Sequence, residues 1–103
     1  MSRVTLSSKA VNENIKQTFD FTSRLAASET ISTQVCTATV YSGNDSSPSS
    51  LIAGAATASG TIVTQKVIGG IAGVIYELLC TVTTSTGQTL QLMGYFAVVP
   101  DLV

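Results

Sequence analysis

Histidine and tryptophan are both absent from this 103-residue sequence, and only 11% of its residues are charged. Without histidine the chain has no Ser-His-Asp or Cys-His nucleophile system, and it lacks the general base that enzymes use most often. The six carboxylates are dispersed along the chain, with no spacing typical of a glycosidase pair. We therefore predict a protein that is not an enzyme and that has neither catalytic residues nor a cofactor.

Cysteine occurs only twice, as Cys36 and Cys80. A structural zinc site takes about four Cys or His ligands, so these two residues do not make one. Both have the parity of inward-facing strand residues. We expect them on strands of different sheets, where immunoglobulin domains carry their disulfide. That placement allows a bond, whereas a reducing cytoplasm favours two buried thiols.

The shortage of charge also limits the partners. The five basic residues are scattered, so no cluster is available to neutralise the phosphates of a nucleic acid. The apolar run 67–80 contains Glu77 and is shorter than the roughly 20 residues of a membrane-spanning helix. Residues 1–14 contain no apolar segment of the kind found in secretory signals. Neither nucleic acid nor membrane is expected as a partner.

Serine and threonine are abundant and together exceed a quarter of the chain. A surface covered by hydroxyls and amides lacks the charge that keeps small domains apart. This composition favours a protein that works inside an assembly.

Alternating apolar and polar residues predict several short strands and no long helix. The clearest alternation places Tyr76, Leu78, Cys80 and Val82 on one face of a central strand. We predict an all-β fold, an antiparallel immunoglobulin-like β-sandwich over residues 15–103 with an extended N-terminal arm over residues 1–14. The predicted strands are 15–22, 29–41, 61–68, 75–84 and 88–99, and 51–60 is a loop or a short edge strand.

Turn signals separate these strands. Glycines 69, 70 and 73 indicate a turn before the central strand, and Gly87 indicates a tight hairpin after it. The adjacent Val35 and Cys36 cannot both face inward on a regular strand, so we expect a bulge near Gln34. For the polar arm, a flexible terminus and a segment that orders on a neighbouring subunit are both open interpretations.

Two motifs carry a family resemblance over roughly residues 19–89. Phe19-Asp20-Phe21, Leu25-Ala26 and Glu29-Thr30-Ile31-Ser32 resemble an opening "FDFSDWLA…DTIS", and residues 69–89 resemble a core "GGTAGTxYTVTCTITTxxGRT". These motifs are similar to those of the small immunoglobulin-like accessory virion proteins of tailed bacteriophages, which include fibre-tail adaptors, neck proteins and capsid cement. The chain departs from the pattern at Ser23-Arg24, where the family has Asp-Trp, and at Gln65, where it prefers an aliphatic residue.

The resemblance implies a virion structural protein, made in the host cytoplasm, that joins larger virion components. A neck or tail-fibre adaptor is the favoured role, followed by capsid cement. The implied partners are portal, neck, tail or major capsid proteins in a symmetric multi-copy assembly. The alternative is an immunoglobulin-like adhesion module that binds a receptor or a glycan. Candidate interface residues lie in the arm, in the serine-rich loop 42–50 and at exposed positions: Arg3, Val4, Leu6, Val11, Arg24, Tyr41, Asn44, Asp45 and Tyr95.

Overall fold

The computed structural model describes the backbone of residues 2–100 and the side chains of residues 6–100. Within residues 2–100 the chain forms eight strands and two 3₁₀ turns, Thr22–Arg24 and Pro48–Leu51, and no α-helix. The strands are β1 (Ser2–Thr5), β2 (Lys9–Ala10), β3 (Ile15–Asp20), β4 (Ile31–Ser42), β5 (Thr57–Ser59), β6 (Ile62–Val67), β7 (Ile75–Thr84) and β8 (Thr89–Val99).

The larger sheet has five strands and is mixed. Its order is β1-β8-β7-β4, and β2 follows β1 along the same edge of β8. The pairs β4·β7 and β7·β8 are antiparallel, whereas β1 and β2 both run parallel to β8. The predicted central strand is therefore confirmed as β7. The prediction of purely antiparallel pairing is wrong for this edge, because the N-terminal segment approaches β8 in the same direction.

The smaller sheet is antiparallel, in the order β3-β6-β5. Gln17 and Gln65 are opposed in its register, and both are buried. The Gln17 amide exchanges two hydrogen bonds with the Ser7 backbone, and the Gln65 amide donates to Gly54 O of a neighbouring loop and to Lys66 O of its own strand. Gln65, which departs from the family pattern, thus ties the loop before β5 to this sheet.

The hydrophobic core draws on both sheets. The smaller sheet contributes Phe19, Val63 and Val67, and Phe21 follows directly after β3. All four side chains are fully buried. The inner faces of β7 and β8 follow strict alternation, as their sequences predict. From these strands the core receives Tyr76, Leu78, Cys80, Val82, Leu92, Phe96 and Val98.

Strand β4 solves its parity conflict differently from the prediction. Val35 is 56% exposed and faces outward, whereas Cys36 is buried. The register shifts between Ile31 and Thr33 and again between Val40 and Ser42, so there is no bulge at Gln34. β4 keeps a regular alternation through this region, so Cys36 and Ala38 face the core and Val35 faces outward.

The two cysteines are neighbours in one sheet. Cys36 on β4 pairs directly with Cys80 on β7, and both are buried free thiols. The expected placement on different sheets is therefore wrong. The error came from expecting the Cys36 strand in the sheet opposite that of Cys80, although it pairs with β7.

The N-terminal segment is part of the larger sheet. β1 pairs with Leu92–Tyr95 and β2 with Val98–Val99 of the same chain. The part of residues 1–14 that the structure describes is therefore ordered on its own domain. The immunoglobulin-like connectivity and the docking of the arm on a neighbour stay predictions.

Candidate functional site

The outer face of the larger sheet combines threonines with adjacent apolar side chains and carries little charge. The residues that alternate with the core positions of β7 and β8 are half-buried along nearly the whole length of both strands. Leu79 pairs with Met93, and Ile75 pairs with Ala97, so apolar side chains are adjacent across the two strands. The outward residues of this face, from β4 to β8, are Thr33, Val35, Thr37, Thr39, Tyr41, Ile75, Glu77, Leu79, Thr81, Thr83, Thr89, Gln91, Met93, Tyr95, Ala97 and Val99. We call this surface the outer face.

Two predicted interface residues meet on the outer face. The ring centroids of Tyr41 and Tyr95 are 4.3 Å apart, with an interplanar angle of 37°. Tyr41 on β4 is 61% exposed. Tyr95 lies on β8, so the two rings meet across the central strand β7. Tyrosine provides a large rigid apolar ring and a polar end at low entropic cost, which is why it is enriched at protein interfaces.

Charge is scarce on the outer face. Glu77 is the one charged residue on it whose side chain the structure describes, and its carboxylate accepts a hydrogen bond from Thr39 Oγ1 at 3.3 Å. The remaining polar groups there are threonine hydroxyls and the Gln91 amide, which donates to Thr81 Oγ1. The described side chains of this face are therefore almost all neutral.

Two arm residues of the predicted interface, Leu6 and Val11, lie against the domain's own core. Both are partly buried. Arg3 and Val4 lie in β1 opposite Met93 and Gly94, and their side chains lie outside the described part. Leu6 and Val11 thus contribute to the domain itself.

The other three predicted residues are dispersed. Arg24 is half-buried and its Nη1 donates to Gln91 O at 3.3 Å. Asn44 is exposed in the serine-rich loop. Asp45 accepts hydrogen bonds from Tyr76 and from Ser47 N, so its carboxylate acts within the fold. The structure brings together only Tyr41 and Tyr95 among the candidates with described side chains.

The contact between Asp45 and Tyr76 fixes two loops. Buried Tyr76 donates from its hydroxyl to Asp45 Oδ2 at 2.7 Å and accepts from Ile71 N at 2.9 Å. Burial and the hydrogen bond to Asp45 raise the pKa of Tyr76, because both disfavour the phenolate. Loop 42–50 and the glycine turn are held together at this end of the sheet, beside the tyrosine pair.

Lys9 is a residue that sequence analysis overlooked. Its side chain is fully buried, and Nζ donates to Ala10 O, Val11 O and Gly69 O at 2.6–2.9 Å. A buried ammonium is tolerated when such oxygens replace its hydration. No sequence pattern marks it, since the acceptors are backbone atoms and Gly69 is sixty residues away.

The sequence of β8 contains a signal for the outer face that the strand predictions overlook. Residues 92–99 of β8 are apolar at both parities, apart from Gly94. A strand that is half exposed normally alternates with polar residues, whereas apolar residues at both parities indicate cover on both faces. That signal points to Met93, Tyr95 and Ala97 as a surface with a partner.

The described part of the chain holds neither a metal site nor a membrane-spanning helix. No group of three or more His, Cys, Asp or Glu residues within it lies together as metal ligands. Among the described residues no helix has the length and apolar character to cross a membrane.

Comparison with known proteins identifies the family. The family model described as podophage GP4 fiber-tail adaptor protein gp77 matches residues 9–93, which span both sheets from β2 into β8. No curated protein sequence matches the chain. The match covers most of the sequence and includes both motifs of the predicted resemblance. The chain belongs to this family, and it is a non-enzymatic structural adaptor of the podophage virion tail that joins tail fibre and tail proteins.

Proposed function

We propose that this adaptor holds a folded virion protein against the outer face of its larger sheet, with the Tyr41–Tyr95 pair at the centre of the contact. The apolar outer face is the observation that carries the proposal. Interfaces bury aromatic anchors in a core that is depleted of charge. The outer face has that composition before any partner is bound.

The charge of the outer face specifies the partner's chemistry. A surface with Glu77 as its single described charge offers no attraction to a phosphate backbone or to an acidic membrane surface. Its complement is a neutral surface with apolar side chains and hydroxyl or amide groups at the rim. We infer that nucleic acid and lipid are not partners and that a tail or fibre protein is.

We place the contact at the junction of fibre and tail, in preference to the capsid, because the family description names the fibre and the tail. The neck and portal are the nearest tail-side candidates for the second partner. A symmetric multi-copy arrangement would let individually weak contacts act together. On this view exposed residues of loop 42–50, such as Asn44, serve the second partner.

We propose in addition that the two sheets have an immunoglobulin-like topology. The orders β4-β7-β8 and β3-β6-β5 correspond to the C-F-G and B-E-D orders of that fold. The Tyr76 hydroxyl, near the start of β7, bonds to backbone five residues upstream, as a tyrosine corner does. In this correspondence Cys36 lies on strand C, which explains why the pair is not the inter-sheet disulfide.

Replacement of Tyr41 by alanine tests the proposal. Loss of a central aromatic anchor costs about 2 kcal/mol, or roughly a 30-fold weakening of binding. We expect Tyr41→Ala and Tyr95→Ala to weaken binding of purified adaptor to isolated tail fibre protein or to fibreless tails, measured by biolayer interferometry. Ile71→Ala is the matched control, since Ile71 is 47% exposed but lies in the glycine turn.

The outcome also separates the alternatives. If Tyr41→Ala binds both the fibre and the tail as the unaltered chain does, while its melting temperature shows that it is folded, the outer face is not the interface. Specific binding to a glycan array that Tyr41→Ala abolishes would instead support the adhesion module. The tyrosine rings face each other at 4.3 Å, which leaves less ring surface for stacking on a sugar and favours the protein partner.

A further inference from the structure

Cys36 and Cys80 form a cross-strand pair of free thiols that oxidation would convert into a disulfide. They are directly opposed in the register of β4 and β7. Opposed residues of antiparallel strands have Cα atoms about 4.5 or 5.5 Å apart, and both separations lie in the range of disulfides. The two thiols are within hydrogen-bonding reach of each other. The pair therefore meets the Cα separation of a disulfide without any change in strand register.

We propose that Cys36 and Cys80 form a disulfide in the extracellular particle and that both remain reduced thiols while the chain is assembled in the cytoplasm. Disulfides persist on virion surfaces but are rare in the reducing cytoplasm. An adaptor of the virion tail passes from the second environment to the first when the particle is released. The pair would then act as a covalent staple within the larger sheet.

The reaction balances with a small-molecule disulfide such as oxidised glutathione. The Cys36 thiolate attacks one sulfur of that oxidant, forms a mixed disulfide and releases one small thiolate. Cys80 then gives up its proton and attacks Cys36 Sγ. The Cys36–Cys80 bond forms and the second small thiol leaves. The two cysteines lose two electrons and two protons, and the oxidant is reduced to two thiols.

The order of these steps follows from the structure. The hydrogen bond from the Cys80 thiol lowers the pKa of Cys36, whereas the same hydrogen bond and burial raise the pKa of Cys80. Cys36 also lies on the edge strand β4, so local opening of that edge exposes it first. Cys36 is therefore the attacking thiol and Cys80 the resolving one.

The staple strengthens the part of the sheet that carries the outer face. Thr37 and Leu79, the next pair along the same strands, point outward onto it. A bond between residues 36 and 80 closes a long loop and restricts the unfolded chain. We expect the melting temperature to rise by about 10 °C on oxidation, from the usual stabilisation by such loops.

The test uses the reduced full-length chain incubated with oxidised glutathione. The expected product has lost two hydrogen atoms by intact mass, has no thiol that reacts with iodoacetamide under denaturing conditions, and melts at the higher temperature. Cys36→Ala and Cys80→Ala are the controls, and neither should gain stability under the same treatment. Purified particles denatured without reductant and then alkylated should likewise have both residues unmodified, whereas freshly synthesised chain treated in the same way is alkylated at both.

Three results would overturn the proposal. They are a folded chain that keeps both thiols, a chain that stops at a glutathione adduct, and particles whose Cys36 and Cys80 alkylate fully. The first two deny the chemistry of the pair. The third denies only its oxidation in the particle. None of them depends on which surface binds the fibre, so the proposed interface stands or fails separately.

Discussion

At Gly70 the backbone and its surroundings both require glycine. Its φ is +92°, in the left-handed region that side chains rarely adopt. A Cβ at this position would lie 2.7 Å from Val98 Cγ2 and 3.1 Å from Leu51 Cδ2. Leu51 and Val98 are both buried, so their side chains have little room to move away and the glycine turn itself would have to shift.

We expect Gly70→Ala to destabilise the domain by about 3 kcal/mol, since backbone strain and overpacking add at this position. Thermal or urea unfolding of the purified protein measures the effect. Gly69→Ala is the matched control, because Gly69 has φ +64° but no atom within 4 Å of a new Cβ. It should cost only about 1 kcal/mol. Equal losses in the two variants would show that the close contact contributes nothing.

At the scale of elements, Lys9 attaches the N-terminal strands to the rest of the sheet. Its ammonium donates to Ala10 O and Val11 O in its own segment and to Gly69 O in the turn after β6, and the bond to Gly69 holds β2 beside that turn. We expect Lys9→Met to destabilise the domain by about 2 kcal/mol, because buried carbonyls lose a charged donor. Amides of β1 and β2 should exchange faster with deuterium, while those of β7 keep their protection.

Lys16→Met is the control for this effect, since Lys16 is exposed on β3. It should leave both stability and exchange close to those of the unaltered chain. If the amides of β1 and β2 in Lys9→Met exchange with deuterium as slowly as they do in the unaltered chain, the buried ammonium is not what attaches these strands.

Glu29 joins a different pair of elements. Its carboxylate accepts from Thr84 Oγ1, Thr86 Oγ1 and Ala26 N, and so connects the turn before β4 to the β7–β8 hairpin. The hydrogen bonds from Thr84 and Thr86, followed by that from Ala26, lower the pKa of Glu29 below its usual 4.5. Because the unfolded chain protonates first, this contribution to stability is present above about pH 4.5 and is lost as the pH falls through the lowered pKa.

We therefore expect Glu29→Gln to melt below the unaltered chain at neutral pH, and the difference to shrink as the pH falls below 4.5. Melting curves recorded from pH 7 downward test this. Thr86→Val removes one of the donors and should reduce the pH-dependent difference without abolishing it. A difference that is constant with pH would mean that the charge of Glu29 does not contribute.

At the scale of the whole molecule, low charge determines how the adaptor associates. The chain carries a net charge of −1, and the outer face has little charge of its own. Electrostatic steering and screening therefore have little influence on binding through this face. The affinity for its tail or fibre partner should change by less than about threefold between low and high salt, because apolar burial dominates the interaction.

Titration of binding against sodium chloride checks this expectation. Adaptor with Thr37→Lys, which adds a charge to the outer face, is the comparison and should bind more weakly at every salt concentration, because a neutral partner surface leaves that charge unpaired. Loss of binding by the unaltered chain at moderate salt would indicate a charged interface elsewhere on the molecule.

Much of the fold follows from the sequence, because strand alternation is a local property. The period of two in β7 and β8 identified their buried faces correctly. The turn glycines 69, 70, 73 and 87 all have the positive φ that their positions indicate. The absence of histidine and the two motifs pointed to the non-enzymatic virion family that the comparison identifies.

Only the tertiary structure decided which strands are neighbours and which polar residues are buried. Strand pairing depends on contacts between residues far apart in the chain, so Cys36 was assigned to the wrong sheet and the parallel pairing of β1 was missed. Lys9 and Asp45 look like surface residues in the sequence, but distant partners hold them in the fold. The meeting of Tyr41 and Tyr95 likewise required the register of three strands. The sequence determined local conformation and family, and long-range packing determined the surface that is available to a partner.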